Sequence, residues 1–268
     1  MEDNNRITLQ DGFLDLKLNA IITAFRREHN AEYAVVFKVM SFLDEAQDCF
    51  VGKKVSKQDM FLSASIMELN KLFQSAVLLF ERGLPSSANI IVRSILELSF
   101  KIIELIKNEN FLQEMIVDSN LKTLKTLNDI KNNKLYNVVS SDLVEELLED
   151  CQRKKTQCGN VNIGASVLAD RNGLKKEYIL YRTYCDYTHQ SISAINESID
   201  ITSQGVTLDG DIKLTNFSES LAMLISITMI SFPYISQHSL VDEKIKDQFV
   251  LLREKFGEVF EQKKLIVT

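Results

Sequence analysis

The sequence predicts an all-α protein, a helical bundle, from its composition and its apolar periodicity. The chain of 268 residues has 9 Gly and 2 Pro, against about 19 and 13 at average usage. Because Gly and Pro form most tight turns, this chain has few of the short connections that β-sandwiches, β-barrels and phosphate-binding glycine loops require. Apolar residues make up 45% and charged residues 25%, which is typical of folded soluble domains. Long helices are therefore expected.

The expected elements follow from apolar spacing and from the few helix-breaking residues. No repeat, low-complexity tract or linker appears, so we predict an N-terminal helical extension over residues 1–55 and one helical core domain over 56–268. The predicted helices span residues 16–50 (one or two helices, with a break near 31–33), 59–82, 86–107, 111–132, 141–155, 174–199, 216–237 and 241–263.

Two connections carry turn signals. Gly83-Leu84-Pro85 ends one helix and begins the next, because Gly suits the position after a helix and Pro suits a first turn. Residues 159–173 are predicted to form a loop. Residues 205–214 alternate around Asp209-Gly210 and predict a small β-hairpin, whose apolar side chains share one face if Val206 pairs with Leu214.

The helix predicted at 86–107 is apolar around most of its circumference, which is typical of a buried helix. A narrow polar seam remains, formed by Arg93, Glu97, Lys101 and Glu104 within about 80°. Arg93 and Glu97 could be a local pair in solvent, or a buried pair that contacts His189 or a Tyr hydroxyl, since a lone buried charge is costly. The seam is the first candidate site.

The segment Leu221–Ile235 is apolar enough to be considered as a membrane span. Its roughly 15 residues fall short of the about 20 that a bilayer needs, so a core helix, or a helix at a subunit interface, is the better interpretation. A net charge of −6 argues against broad, sequence-independent DNA binding. With no paired cysteines and no secretory pattern, we expect a cytoplasmic protein with free thiols and no membrane association.

The second candidate site lies in the helix predicted at 174–199. Arg182 and His189 are seven residues apart and therefore project within about 20° of each other, with Asp186 between them. Metal-independent RNA cleavage needs such a set: the imidazole can accept the 2′-hydroxyl proton, and the guanidinium can hold the charge that develops on the phosphate. The alternative is structural, with Arg182 and Asp186 as a local pair and His189 hydrogen-bonded at the helix edge.

The Arg182-x6-His189 spacing resembles the R-x(4–6)-H motif of the HEPN (higher eukaryotes and prokaryotes nucleotide-binding) superfamily. Together, Arg93-Ser94-x-x-Glu97 and Tyr181…His189 also resemble a prokaryotic all-helical family of unknown function, over roughly residues 56–237. The resemblance implies catalytic Arg182, His189 and Asp186, supported by Arg93, Glu97 and Tyr181. It also implies an RNA substrate and a homodimer.

Two functions remain open from the sequence. One is a metal-independent endoribonuclease of phage defence or a toxin–antitoxin system, acting on RNA and with a protein partner from such a system. The other is a non-catalytic helical sensor or partner-binding module, whose Arg, Glu and His residues are structural. No cofactor and no metal are expected, because no HExxH or paired Cys/His motif occurs.

Overall fold

The computed structural model describes residues 14–133, 140–158, 161–189, 191, 199–202, 205–208 and 216–260. Within these ranges the elements are α1 (Lys17–Glu28), α2 (Asn30–Asp48), α3 (Lys57–Glu81), α4 (Pro85–Lys107), α5 (Phe111–Asn132), α6 (Ser141–Cys158), α7 (Ala165–Arg171), α8 (Lys175–Thr188), β1 (Ile199–Thr202), β2 (Gly205–Leu208), α9 (Phe217–Thr228), α10 (Phe232–Gln237) and α11 (Glu243–Phe260). The predicted all-α class is confirmed, with one small two-stranded sheet among the described residues.

Helices α3 and α4 form the centre of the bundle and contribute many of its fully buried side chains. Phe73 on α3 and Phe100 on α4 are both 0% exposed. Around them, Phe42 of α2 stacks on Phe232 of α10, with ring centroids 4.2 Å apart. Helix α2 thus belongs to the same apolar core as α3 and α4, and the domain boundary at residue 55 stays a prediction.

The predicted joint between α3 and α4 is confirmed, and local hydrogen bonds account for both ends of α3. At its start, the Ser56 hydroxyl accepts from the Asp59 amide at 3.1 Å, while the Asp59 carboxylate accepts from the Ser56 amide at 2.9 Å. This reciprocal pair is a capping box. At its end, Gly83 takes the left-handed conformation at φ 68° and Pro85 opens α4.

Helix α1 is tied to the end of α3 by a charged cluster around Glu81. Arg26 donates two hydrogen bonds to the Glu81 carboxylate, at 2.7 and 2.8 Å. The Tyr33 hydroxyl of α2 donates a third, at 2.5 Å. Burial raises the pKa of Tyr33, and its hydrogen bond to Glu81 raises it further. The break between α1 and α2 falls at His29, slightly before the predicted 31–33.

Helices α5 and α6 form a hairpin with a small apolar core of its own. The buried residues of that core are Leu124, Leu127, Val144, Leu148 and Cys151. None of them belongs to the main core, which α5 joins through buried Phe111 and Leu112 and half-buried Met115 in its first turns. The start of this hairpin is therefore attached to the body, and its remainder packs mainly on itself.

Two predicted boundaries around the second candidate site are wrong. The loop predicted at 159–173 contains the short helix α7, whose Leu168 and Ala169 are buried in the main core. The helix predicted at 174–199 ends at Thr188, so His189 is its C-terminal cap. Residues 190 and 192–198 lie outside the described ranges, and Ile199 already belongs to β1.

The β-hairpin predicted at 205–214 is also wrong in its pairing. Strand β2 pairs antiparallel with β1, which precedes it, so that Val206 lies opposite Ile201 and Leu208 opposite Ile199. Residues 209–215, which would have formed the predicted turn and second strand, lie outside the described ranges. The segments before and after β2 in the sequence both alternate apolar and polar residues, so either could pair with it. Alternation alone does not choose between these two partners.

The apolar segment Leu221–Ile235 lies in the main core. It is one helix in the prediction but two in the structure, α9 and α10, separated by a 3₁₀ turn at Met229–Ser231. The run Phe217–Gln237 is long and apolar enough to cross a membrane by length and composition, and 56% of its most apolar window is buried inside the protein. Leu224, Ile225 and Phe232 are each 0% exposed, which fits the predicted core helix.

Candidate functional site

The polar seam of α4 lies against α7 and α8. Arg93 donates from Nη2 to the Tyr181 hydroxyl at 2.6 Å and from Nε to the Cys185 sulfur at 3.3 Å. Its guanidinium carbon lies 4.9 Å from the centroid of the Tyr181 ring. Arg93 therefore links α4 to α8 by two hydrogen bonds and a cation–π contact.

Glu97 continues the seam as a carboxylate between two cations. Lys101 Nζ donates to Glu97 Oε1 at 2.8 Å, and Arg93 Nη2 lies 3.6 Å from Oε2. Burial alone would raise the pKa of Glu97, but the Lys101 and Arg93 charges outweigh it, so that pKa is lowered. Burial and the Glu97 charge raise the pKa of Tyr181 to about 12. At neutral pH the cluster therefore holds an ionised Glu97 and a protonated Tyr181 hydroxyl.

Glu104, the last residue of the seam, holds α7 against α4. Its buried carboxylate accepts from Arg171 at 3.2 Å and from Asn172 at 2.8 Å. Arg171 also donates to Glu114 of α5 at 2.8 Å. Because α8 begins four residues after Arg171, this cluster fixes the position at which α8 begins.

Arg182, Asp186 and His189 occupy a different side of α8, where all three side chains are exposed. The His189 amide still donates to the Cys185 carbonyl at 3.1 Å, so the helical path continues through position 189. The side chains of Arg182 and His189 project about 80–100° around the helix axis from Tyr181. Among the described residues, none of the three side chains makes a hydrogen bond or an ion pair.

The sequence-predicted residues therefore form two groups, one between α4 and α8 and one on the exposed side of α8. The supporting residues Arg93, Glu97 and Tyr181 lie together between α4 and α8, with Arg93 on a Tyr hydroxyl and not on His189. Arg182, Asp186 and His189 lie together on the exposed side. Sequence reasoning missed Cys185, although its spacing of four from Tyr181 places both on one side of a helix.

His238 is the histidine that the fold surrounds most closely, with 13% of its side chain exposed. The Leu240 amide donates to its Nδ1 at 3.4 Å, which assigns the ring proton to Nε2, 3.4 Å from the Asp59 carboxylate. Burial lowers the pKa of His238, and the neighbouring Asp59 charge opposes that effect only in part.

We expect the His238→Asn variant to lose part of the pH dependence of folding. Below about pH 6.5 the unfolded chain binds a proton at this position, whereas the folded imidazole with its lowered pKa resists it. The contribution of His238 to the free energy of unfolding is therefore fully present above that pH and decreases as the pH falls below it. Urea unfolding of parent and variant between pH 7.5 and 5 would measure the difference in slope, which is at most about 1.4 kcal/mol per pH unit for one proton. Identical slopes of unfolding free energy against pH in parent and variant would contradict the lowered pKa of His238.

Across the part of the chain that the structure describes, no group of three or more His, Cys, Asp or Glu side chains is arranged to hold a metal ion. On α8, the candidate reactive side chains are Arg182, Asp186 and His189. An exposed cation, carboxylate and imidazole on one side of a helix can bind a phosphate and exchange protons with it.

Comparison with known proteins identifies a family. The family DUF5677, described as a family of unknown function, matches residues 59–206, which run from the first turn of α3 to β2 and include every residue of both groups. No curated protein and no solved structure matches the chain. Since the match covers more than half of the 268 residues, the chain belongs to this family of unknown function.

Proposed function

We propose that this protein is a metal-independent endoribonuclease of the HEPN type, with its reactive groups on the exposed side of α8. The observation that carries the proposal is the placement of Arg182, Asp186 and His189. All three are exposed on consecutive turns of one helix, and none is engaged by another described side chain. The structural alternative predicts an Arg182–Asp186 pair and a hydrogen-bonded His189, and none of these side chains makes such a bond with a described residue.

In the proposed reaction, neutral His189 accepts the proton of an RNA 2′-hydroxyl, and the 2′-oxygen attacks the adjacent phosphorus. The bond from phosphorus to the 5′-oxygen breaks, and that oxygen leaves with a proton from solvent or from a second acid. Arg182 stabilises the negative charge on the phosphate oxygens as the new bond forms. Asp186 orients the imidazole or the guanidinium.

The group around Arg93 serves this site indirectly. Helix α8 has no fully buried residue among its described positions, so apolar burial holds it less firmly than it holds α3 or α4. The contacts of Arg93 with Tyr181 and Cys185 fix the rotation of α8 about its own axis. This rotation determines the direction in which Arg182 and His189 point. Arg93 and Tyr181 are therefore positioning residues.

The resemblance to HEPN proteins suggests the setting. We propose a homodimer that acts on RNA in the cytoplasm, in a phage-defence or toxin–antitoxin system with a partner protein. The acidic net charge of −6 limits non-specific binding to nucleic acid and restricts RNA contact to local basic residues such as Arg182.

The second candidate function is a non-catalytic sensor or partner-binding module. This function is favoured by the hydrogen bonds that Arg93, Glu97 and Glu104 make within the protein. Because each of these side chains already has a partner, none of them needs a substrate. In this reading the exposed side of α8 contacts a protein, and its residues have no chemical role.

Incubation of the purified protein with labelled single-stranded RNA in EDTA distinguishes the two functions. The nuclease proposal expects cleavage by the parent in the chelator and none by the double variant Arg182→Ala/His189→Ala. An inactive parent favours the binding module, and equal cleavage by parent and variant excludes Arg182 and His189 as the reactive pair. A pull-down with the parent and the same double variant would then test whether this side of α8 binds a protein.

A further inference from the structure

A cleft of about 680 Å³ lies at the end of α4 that is remote from Arg93. Its walls are the first turn of α3, the last turn of α4, the first turns of α5, and His238. Leu105, which lines the cleft, is 12 residues from Arg93, or about 18 Å along the helix. The cleft is therefore separate from the proposed site on α8.

The walls of this cleft are held in place by hydrogen bonds of their own. Gln58 donates from Nε2 to the Leu105 carbonyl at 2.6 Å and to the Asn108 carbonyl at 2.9 Å, which joins α3 to the end of α4. Asp59 is engaged by Ser56 and lies 3.4 Å from His238. A cavity with fixed walls binds a ligand without the entropy cost of ordering them first.

Two charged side chains at the cleft remain unengaged. Lys57 on α3 and Glu109 between α4 and α5 are exposed, and neither makes a hydrogen bond or ion pair with a described residue. The apolar side chains of Ile106 and Ile116 line the same cleft. The cleft thus presents one cation, one anion and an apolar surface to a ligand.

We propose that this cleft binds a small zwitterion with an apolar body, of the free amino-acid type. Its carboxylate would pair with Lys57. Its ammonium group would pair with Glu109, and its apolar side chain would cover Ile106 and Ile116. The volume falls within the range of about 300–1,000 Å³ that is usual for small-molecule sites.

Methyl NMR of the full chain, labelled at the isoleucine δ1 positions, tests this assignment with L-leucine as the probe. We expect a saturable shift of the Ile106 and Ile116 signals at up to about 10 mM, where a ligand of millimolar affinity approaches saturation. Signals of Ile95 in the core and Ile179 on α8 should not move. N-acetyl-L-leucine lacks the ammonium group and L-leucinamide lacks the carboxylate, so each should bind about fivefold more weakly, the upper end for one exposed ion pair.

Two variants and two matched controls complete the test. Lys57→Gln and Glu109→Gln should each weaken L-leucine binding by about fivefold. Lys54→Gln and Glu68→Gln, at exposed positions outside the cleft, should leave binding unchanged. The proposal is overturned if L-leucine gives no saturable shift, if both derivatives bind as well as L-leucine, or if all four variants bind alike. The readout is binding alone, so it is independent of any RNA cleavage.

Discussion

Replacing His189 with alanine is expected to lower the rate of RNA cleavage by about 100- to 10,000-fold, the range that general-base catalysis contributes. The unfolding midpoint should not change, because the side chain is exposed and makes no hydrogen bond with a described residue. Arg182→Ala should reduce cleavage in the same range, through lost stabilisation of the phosphate charge. Initial rates on a labelled single-stranded RNA in EDTA, with thermal unfolding in parallel, measure both quantities.

Thr183→Ala provides the matched control for these two variants. Thr183 is exposed on the same helix, and its hydroxyl donates only to the Ile179 carbonyl of that helix. Its removal should leave cleavage within about twofold of the parent, since a surface substitution of this kind changes little. A loss in Thr183→Ala as large as that in His189→Ala would show a general disturbance of α8 and would remove the case for catalysis by the imidazole.

Arg26→Met should lower the free energy of unfolding by about 3–5 kcal/mol. Arg26 is itself 45% exposed, but its partner Glu81 is 1% exposed. Removal of the guanidinium leaves a buried carboxylate whose one remaining side-chain partner among the described residues is the Tyr33 hydroxyl. Methionine keeps an apolar stem of similar length, so the loss reports the charge and not the packing. Urea unfolding at pH 7 measures it.

The rescue experiment for Arg26 removes the buried charge. Adding Glu81→Gln to Arg26→Met should recover much of the lost stability, because a neutral amide is less costly to bury than an unpaired carboxylate. Arg27→Met, an exposed neighbour on α1, controls for the loss of a surface cation. If Arg26→Met and Arg27→Met have equal, small effects, the Arg26–Glu81 pair does not fasten α1 to α3.

The sequence could predict much of this fold because its apolar stripes and helix-breaking residues coincide. Gly83 and Pro85 mark a joint that the structure places between Arg82 and the first turn of α4. The nearly all-round apolar surface of α4 matches its ten buried residues. Local chemistry decides such features, so they can be recognised without knowing which helices are neighbours.

Features that depend on partners distant in sequence could not be predicted in the same way. Helix α7 is only seven residues long, and an isolated helix of that length is not stable in water. Burial of Leu168 and Ala169 in the main core, and the bonds of Arg171 to Glu104 and Glu114, stabilise it. The pairing of β2 with β1 is likewise not specified by the alternation of apolar and polar residues along either strand.

The site shows the same division. Helical spacing alone places Arg182, Asp186 and His189 on one side of α8. It also brings Tyr181 and Cys185 together, but it does not reveal that Arg93, 88 residues earlier, donates to the Tyr181 hydroxyl. That contact depends on the packing of α8 against α4. The periodicity of one helix carries no information about the neighbour on which that helix packs.

The separate small core between α5 and α6 implies that the protein does not open as a single unit. Because no buried residue of that core belongs to the main core, separation of the two helices breaks none of the main core's contacts between buried side chains. Partial unfolding of α6 is therefore less costly than global unfolding, and its amides should exchange with deuterium before those of α3. The main bundle can remain folded while this hairpin opens and closes.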